Sequence, residues 1–335
     1  MRKKYWLYIL LVCLLAAAVL TIVNRKAGTF RGVEGRFAVS DTGSVSLIEI
    51  RSKRNTVTLE RSQGSWVVNN NYPAENKKIA TLLMVLSRLQ VSAPVPVAIK
   101  DEIRSKLKED AKRVEVIADR RNPHVLLMYQ DTVHTNATCM MLEQSDQPFR
   151  VELPGYPGRN LSGLFVDDVN YWRDNSIFRL REEEIISVSM YNRIQPETSF
   201  YVVNTKGAGY KLFTYPDSTE IKDFDPGQVK QYISYFTSVQ FERFMSDQEK
   251  KDQNFLNEGK PDNIIMVRDS KNNLIKVETF PLYVHGQQNQ SVPDINRLIA
   301  VINDTDVVVA RYMDLDPVIK DISYFLEKEK NNLYN

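Results

Sequence analysis

The sequence predicts an α+β fold of tandem units, in which an antiparallel hairpin or three-stranded segment precedes a helix, after one amino-terminal transmembrane helix. Three observations predict it: an uncharged apolar run at residues 5–23, short segments of alternating polarity bounded by glycine turns, and a helical apolar spacing that occurs twice. The 335 residues, 43% hydrophobic and 26% charged, are typical of globular proteins and suffice for about two domains.

The apolar run YWLYILLVCLLAAAVLTIV at residues 5–23 contains no charged residue. As a helix rising about 1.5 Å per residue, it spans roughly the 30 Å hydrocarbon core of a bilayer. We therefore predict that residues 1–24 form a cytoplasmic stub and a single-pass anchor. A cleaved signal peptide, with the alanines at 16–18 as its cleavage site, is the alternative.

Charge around the anchor bears on its orientation. Three basic residues at 2–4 favour a cytoplasmic amino terminus and a periplasmic body at the bacterial inner membrane, although basic residues soon after the run weaken this contrast. The formal net charge of +2 includes those three residues, so the rest of the chain is close to neutral. A near-neutral body predicts no nucleic-acid partner.

The first unit begins with alternating segments at 46–50 and 56–60, and Gly64 provides a turn before a third strand at 66–68. A helix follows, because apolar residues recur at helical spacing and share one face. They are Ile79, Leu82, Leu83, Leu86 and Leu89.

The same order returns later in the chain. Segments at 186–190, 199–203 and 210–213 read as strands, with Tyr210 in the position of Trp66. Asp225 and Pro226 predict a helix start, because an aspartate caps a helix well and proline suits its first turn. The apolar face of this helix repeats the first spacing with Val229, Tyr232, Ile233, Phe236 and Val239.

These patterns predict a first α+β unit over residues 25–165, including connecting hairpins, and a second over 166–335. Within the second unit we predict a degenerate third repeat, whose helix follows strands at 263–267 and 274–278. The apolar residues of that helix are Ile295, Leu298, Ile299 and Ile302.

No catalytic residue, cofactor or metal ligand is predicted. The three histidines and Cys139 have no metal-binding spacing such as HExxH. The sequence also lacks the GxSxG elbow, the GxGxxG loop and the phosphate-binding GxxxxGK[ST] loop. The histidines are His124, His134 and His285.

Two groups of carboxylates could support acid–base hydrolysis, at 167–168 and 182–184. A turn cap and a solvated face are the structural interpretations of these acids. Trp172, Arg173 and Asp174 form the candidate binding site, since an exposed tryptophan beside Arg and Asp could clamp a sugar or peptide. The alternative is a buried Trp172 with an Arg–Asp pair that braces the linker.

Several segments carry a resemblance to a known family. FAVSDTGSVSLIEI, VTLERSQGSWVVNNNYPA, PVPVAIK, MMLEQSDQPFRVELPGYPG and NYWRDNSIF resemble a membrane-anchored bacterial family typical of Bacteroidota, described as a domain of unknown function. The resemblance covers most of the chain after the anchor. It implies one amino-terminal membrane helix, an extracytoplasmic α+β body and no assigned catalytic residues. Some relatives accompany gliding-type ABC transport subunits, which implies an accessory role.

The sequence thus predicts a non-enzymatic scaffold or accessory subunit of an envelope or ABC-type transport assembly. Its expected partners are the membrane, envelope proteins and an ABC-type permease. Two other classes of function stay open: an envelope hydrolase that uses paired carboxylates, and a ligand-binding sensor domain.

Overall fold

The computed structural model describes residues 35–118, 122–253, 259–285 and 291–326. The predicted transmembrane helix at 5–23 lies outside these ranges. Within the described ranges, we find no helix with the length and apolar character needed to cross a bilayer. The chain divides between Asp174 and Asn175 into two compact units. Each contains a nine-stranded antiparallel sheet with helices, so the described part is α+β.

The first unit has the strand order β4-β3-β2-β1-β6-β7-β8-β9-β5. Its strands are β1 Val45–Arg51, β2 Thr56–Ser62, β3 Ser65–Val68, β4 Tyr72–Pro73, β5 Gln90–Pro94, β6 Lys112–Ala118, β7 His124–Asp131, β8 Ala137–Leu142 and β9 Phe149–Glu152. Its helices are α1 Asn76–Arg88, α2 Lys100–Glu109 and the single turn α3 Val169–Trp172.

A helix covers each face of this first sheet. Helix α1 buries an apolar face in the main core, and helix α2 buries Ile103 and Leu107 in a smaller cluster with Cys139 and Met141. Alternate residues of a strand point to opposite faces. Strand β7 is accordingly apolar on both, with Leu126 in the main core and Leu127 against the smaller cluster.

The second unit has the order β14-β13-β12-β11-β17-β18-β19-β20-β16. Its strands are β11 Ile185–Asn192, β12 Phe200–Asn204, β13 Tyr210–Thr214, β14 Glu220–Ile221, β16 Arg243–Phe244, β17 Asn263–Asp269, β18 Leu274–His285, β19 Ser291–Ile302 and β20 Asp306–Arg311. A separate pair joins β10 Ser176–Phe178 to β15 Val239–Gln240. The helices are α4 Pro226–Ser234, α5 Asp247–Gln253 and α6 Tyr312–Leu315.

The two sheets have the same order of strands, as a repeated unit predicts. In each unit the longest helix of the repeat follows the fourth strand of the sheet: α1 follows β4, and α4 follows β14. The predicted helix faces are confirmed in part, because α1 buries Ile79, Leu82 and Leu86, and α4 buries Val229, Tyr232 and Ile233. Phe236 and Val239 are also buried, but they lie beyond the end of α4, in a 3₁₀ turn and in strand β15. The predicted helix start is also confirmed, since the Asp225 side chain accepts hydrogen bonds from the N–H groups of Gly227 and Gln228.

One expectation about the repeats is made more specific by the structure, and another is wrong. The region after α1 is the second half of the first unit, because strands β6 to β9 complete its sheet. The predicted third repeat is the corresponding half of the second unit, and its apolar residues lie in strand β19. This strand buries Leu298 on one face of the sheet and Ile299 on the other. A strand apolar on both faces mimics helical spacing, which explains the error.

The predicted boundary at 165/166 also requires correction. Residues 166–174 belong to the first unit. Trp172 lies in the main core of that unit together with Phe165, so burial of these aromatic rings joins the segment to the first sheet.

Candidate functional site

Trp172 is a core residue. Its side chain is 1% exposed, and its indole Nε1 donates a hydrogen bond to the carbonyl oxygen of Val166 over 2.7 Å. The short helix α3 positions it, and the Asp168 side chain caps that helix by accepting from the N–H of Asn170. A buried indole offers no ring face to a sugar or peptide, so the clamp interpretation of Trp172 is wrong and its predicted burial is confirmed.

Arg173 and Asp174 attach the end of the first unit to strand β4. The Arg173 guanidinium lies 3.8 Å from the ring centroid of Tyr72, within the range of a cation–π contact. The backbone N–H of Asp174 donates to the Pro73 carbonyl oxygen over 2.9 Å. Both contacts hold the chain that leaves α3 beside the strand edge, which is a structural role.

The acids at 167–168 also have structural contacts. An oxygen of Asp167 lies 3.2 Å from Lys112 Nζ, which donates a second hydrogen bond to the carbonyl oxygen of Phe165 over 2.6 Å. Hydrogen bonds from Ser52 and then from Lys112 lower the pKa of Asp167. Asp167 therefore stays ionised at neutral pH and serves as an ion-pair partner.

A cavity of about 310 Å³ lies beside this ion pair in the first unit. Its lining includes Ser52, Lys53, Arg54, Asp110, Lys112 and Asp167. Lys53 pairs with Asp110 and Lys112 with Asp167, so most of its charge is neutralised within the protein. Such a lining resembles a surface ion-pair network more closely than a ligand site.

The three glutamates at 182–184 form a 3₁₀ turn before strand β11. Arg181 lies 3.1 Å from both Glu183 and Glu184, and its backbone N–H donates to the Glu184 carboxylate over 2.8 Å. Hydrogen bonds from Arg181 lower the pKa of Glu184. Glu182 instead accepts a hydrogen bond from the hydroxyl of Tyr210 over 2.6 Å.

Tyr210 and Glu182 lie at a cavity of about 470 Å³ in the second unit. Its lining includes Glu182, Glu183, Asn204, Lys206, Tyr210 and Lys230. Burial, followed by the hydrogen bond to Glu182, raises the pKa of Tyr210. Within the described ranges, Lys206 and Lys230 form no ion pair, and they share the lining of the cavity with the carboxylates of Glu182 and Glu183.

At the matching place, the first unit has a core tryptophan. Tyr210 and Trp66 occupy equivalent positions in the two sheets. Leu212, two residues after Tyr210, pairs with Val202 of β12, and Val68, two residues after Trp66, pairs with Leu59 of the equivalent strand β2. Trp66 is 8% exposed and belongs to the core. Five residues, 205–209, separate the paired residues Asn204 and Tyr210, whereas four, 62–65, separate the paired residues Arg61 and Trp66. Lys206, Gly207 and Gly209 of the longer turn line the cavity together with Tyr210.

Two of the histidines make local contacts only. His124 Nε2 lies 3.2 Å from the carbonyl oxygen of Phe37, and His134 Nε2 lies 3.3 Å from the Glu102 carboxylate. The side chain of His285 lies outside the described part. Among the described residues, no group of three His, Cys, Asp or Glu side chains could hold a metal ion.

Cys139 is buried between the first sheet and helix α2. Burial raises the pKa of its thiol to about 12, and the charge of Asp131 adds to this effect. A thiol with so high a pKa is a poor nucleophile at neutral pH.

A feature that the sequence interpretation missed lies in the second unit. Strands β18 and β19 continue beyond their neighbours, because β17 pairs with β18 only as far as Thr279 and β20 pairs with β19 only from Arg297. We call residues 283–285 and 291–296 the hairpin arm. Twelve-residue segments with one proline each, 274–285 and 291–302, were the signal in the sequence.

The chain matches no family model, no curated protein and no solved structure.

Proposed function

We propose that this chain is a membrane-anchored, non-enzymatic scaffold or accessory subunit with an extracytoplasmic body of two related units. The observation that carries this proposal is the position of the acids that hydrolysis would need. Asp167 pairs with Lys112, Asp168 caps a helix, and Glu183 pairs with Arg181. A catalytic pair requires two carboxylates facing one substrate bond. These carboxylates instead hold turns and helix ends.

The anchoring part of the proposal depends on residues 5–23 and on the basic residues at 2–4. An accessory role beside a permease is what the resemblance to the Bacteroidota family implies. The missing phosphate-binding loop is consistent with a subunit that is not itself the ATPase.

Chemical crosslinking in intact membranes, followed by pull-down of the full chain, tests this function. We expect specific membrane or envelope proteins, an ABC-type permease among them, to be recovered with the chain. A matched sample, in which the same tagged chain is added after the membranes are dissolved in detergent, controls for binding after lysis.

Catalysis is the outcome that would contradict the proposal. The purified full chain would then cleave envelope glycans or peptides, and the activity would disappear in Glu183→Gln or Asp174→Asn. Glu197→Gln, which changes an exposed glutamate on a different turn of the second unit, would be the matched control.

The cavity beside Tyr210 favours a second candidate, a ligand-binding sensor. It combines an aromatic ring with two lysines that lack an acidic partner among the described residues. Tyr210→Trp would supply a fluorophore there, and the first unit carries tryptophan at the equivalent position. Saturable quenching by phenyl phosphate, weakened in Lys230→Ala, would support the sensor, whereas linear quenching would count against it.

A further inference from the structure

The hairpin arm exposes apolar side chains that a chain of this kind would ordinarily bury. Ile295 is 86% exposed, Tyr283 44%, and Val284 and Val292 40% each. At the matching end of the first unit, strands β7 and β8 close with a turn at 132–136. The arm is therefore an addition to the second unit, and sheet pairing does not require it.

The arm is apolar on both of its faces. Val284 lies directly opposite Val292, and Tyr283 lies directly opposite Pro293. Residues opposite each other in an antiparallel pair share a face, and neighbours along a strand point to opposite faces. One face thus carries the two valines, and the other carries the tyrosine and the proline. A groove can bury both apolar faces of the arm at once, whereas a flat surface can bury only one.

The edges of the arm are not available to another strand. The side chain of Gln253 donates to the carbonyl oxygen of Tyr283 over 2.8 Å and accepts from its N–H over 3.0 Å. On the opposite strand, Pro293 has no N–H to donate. Strand addition at either edge is thus obstructed, which leaves side-chain packing as the mode of contact.

The arm carries almost no charge. Its single charged residue, Asp294, is turned inward, since one oxygen accepts hydrogen bonds from the N–H groups of Asn296 and Arg297 over 2.7 and 3.0 Å. A complementary surface must then be apolar and uncharged, because an unpaired charge buried against the arm would be costly.

Three cavities in the described part of this chain lie beside Lys112, Tyr210 and Met313, and each is lined by both acidic and basic side chains. None of these three would offer the arm an uncharged groove on a second copy. Two arms packed face to face would also leave one apolar face of each arm in water.

We infer that the hairpin arm inserts into an uncharged, apolar groove of a different protein, so that Ile295 and the two valines are buried on assembly. This inference rests on the proposed scaffold function, and it specifies the surface and the chemistry of the partner. Large apolar side chains clustered on an exposed projection are typical of protein-binding sites.

Site-specific photocrosslinking of the full chain in its own membranes tests the inference. A benzophenone side chain replaces Ile295 in one sample and Val133, which is 75% exposed at the matching end of the first unit, in the control. We expect an adduct only from position 295. Mass spectrometry should assign the crosslinked peptide to a different protein and to an uncharged stretch. Its yield should be the same at about 0.05 and 0.5 M NaCl, because charge pairs do not carry the contact.

A second substitution separates binding from folding. Val284→Asp, made in the chain with the probe at 295, should lower the adduct yield about tenfold or more, because it would bury an unpaired carboxylate. The thermal unfolding midpoint should stay unchanged, because Val284 is exposed.

Several outcomes would overturn the inference. They are an adduct with a second copy of this chain, an adduct with lipid, no adduct at 295, or an undiminished adduct in Val284→Asp. If crosslinked partners were still recovered from membranes after Val284→Asp, the scaffold function would survive and only the arm would be excluded. If no partner were recovered with any variant, the scaffold function itself would fail.

Discussion

Replacing Trp172 by alanine separates a structural role from a binding role at a residue of the predicted binding site. The side chain is 1% exposed. A tryptophan buries about 150–250 Å², which at about 25 cal/mol per Å² corresponds to about 4–6 kcal/mol of transfer free energy. Truncation of core aromatic residues costs about 3–5 kcal/mol. We expect Trp172→Ala to lower the free energy of unfolding of the first unit by about 4 kcal/mol.

Trp172→Phe divides this loss into two parts. Phenylalanine retains most of the buried apolar surface but removes the Nε1 donor, so the Val166 carbonyl oxygen loses its 2.7 Å hydrogen bond. An unsatisfied buried acceptor costs about 1–3 kcal/mol, and we expect about 1 kcal/mol here, because Val166 is only partly buried. Tyr171→Ala is the matched control, since Tyr171 is 40% exposed and should cost less than about 1.5 kcal/mol.

Urea unfolding of the full chain in detergent, followed by tryptophan fluorescence, measures these differences. The tryptophans in the described ranges, Trp66 and Trp172, both belong to the first unit, so Trp66 reports on that unit in the Trp172 variants. If Trp172→Ala unfolded within about 1 kcal/mol of the original chain, the ring would not be part of the core, and our reasoning would be refuted.

The remaining predictions concern a strand, a helix cap and a buried carboxylate. Ile299→Asp should destabilise the second unit by more than about 3 kcal/mol and Ile295→Asp by less than about 1 kcal/mol, because Ile299 is fully buried and Ile295 is 86% exposed. Similar losses at both positions in thermal unfolding would favour the helix that the sequence predicts. Asp225→Ala should cost about 1 kcal/mol through loss of the helix cap, and Asp223→Ala almost nothing; equal urea midpoints would contradict the cap. Burial raises the pKa of Asp131, but hydrogen bonds from one side chain and three backbone N–H groups more than compensate, so the pKa is lowered. Asp131 should therefore make the protein more stable than Asp131→Ala above the unfolded pKa of about 3.9, and this advantage should be lost as the pH falls through the lower folded pKa. If the difference in unfolding free energy between the two proteins did not change with pH in that window, the linkage would be excluded.

The sequence predicts local structure well where one pattern has one physical cause. Helix α4 begins at Pro226 because Asp225 supplies a capping oxygen and proline has a suitable φ. The helix buries Val229, Tyr232 and Ile233 because they share one face of a 3.6-residue period. Such features depend on residues within a few positions of one another.

The sequence does not predict which distant strands pair with each other. The central contact of the first sheet pairs Ile48 with Val116, and that of the second pairs Val188 with Val267. No local pattern states which distant strand will be the neighbour. The sequence interpretation therefore treats strands β6 to β9 as a connection and strand β19 as a helix.

At the candidate site, too, the sequence identifies the residues, but the tertiary structure determines their surroundings. The sequence identifies Trp172, Arg173 and Asp174 as unusual, but only the tertiary structure places the indole in a core and the guanidinium over Tyr72. The cavity beside Tyr210 likewise depends on a longer turn and on Lys230 from helix α4.

By itself, the sequence determined the apolar run at 5–23, the first three sheet strands and the main helix of each unit, and the absence of known catalytic motifs. These follow from composition and from spacing along the chain. Only the tertiary structure decided which strands are neighbours, which acids are paired and which apolar residues stay in water at the hairpin arm. The reason is that burial and pairing depend on residues far apart in the chain, and their free energy exists only once those residues meet.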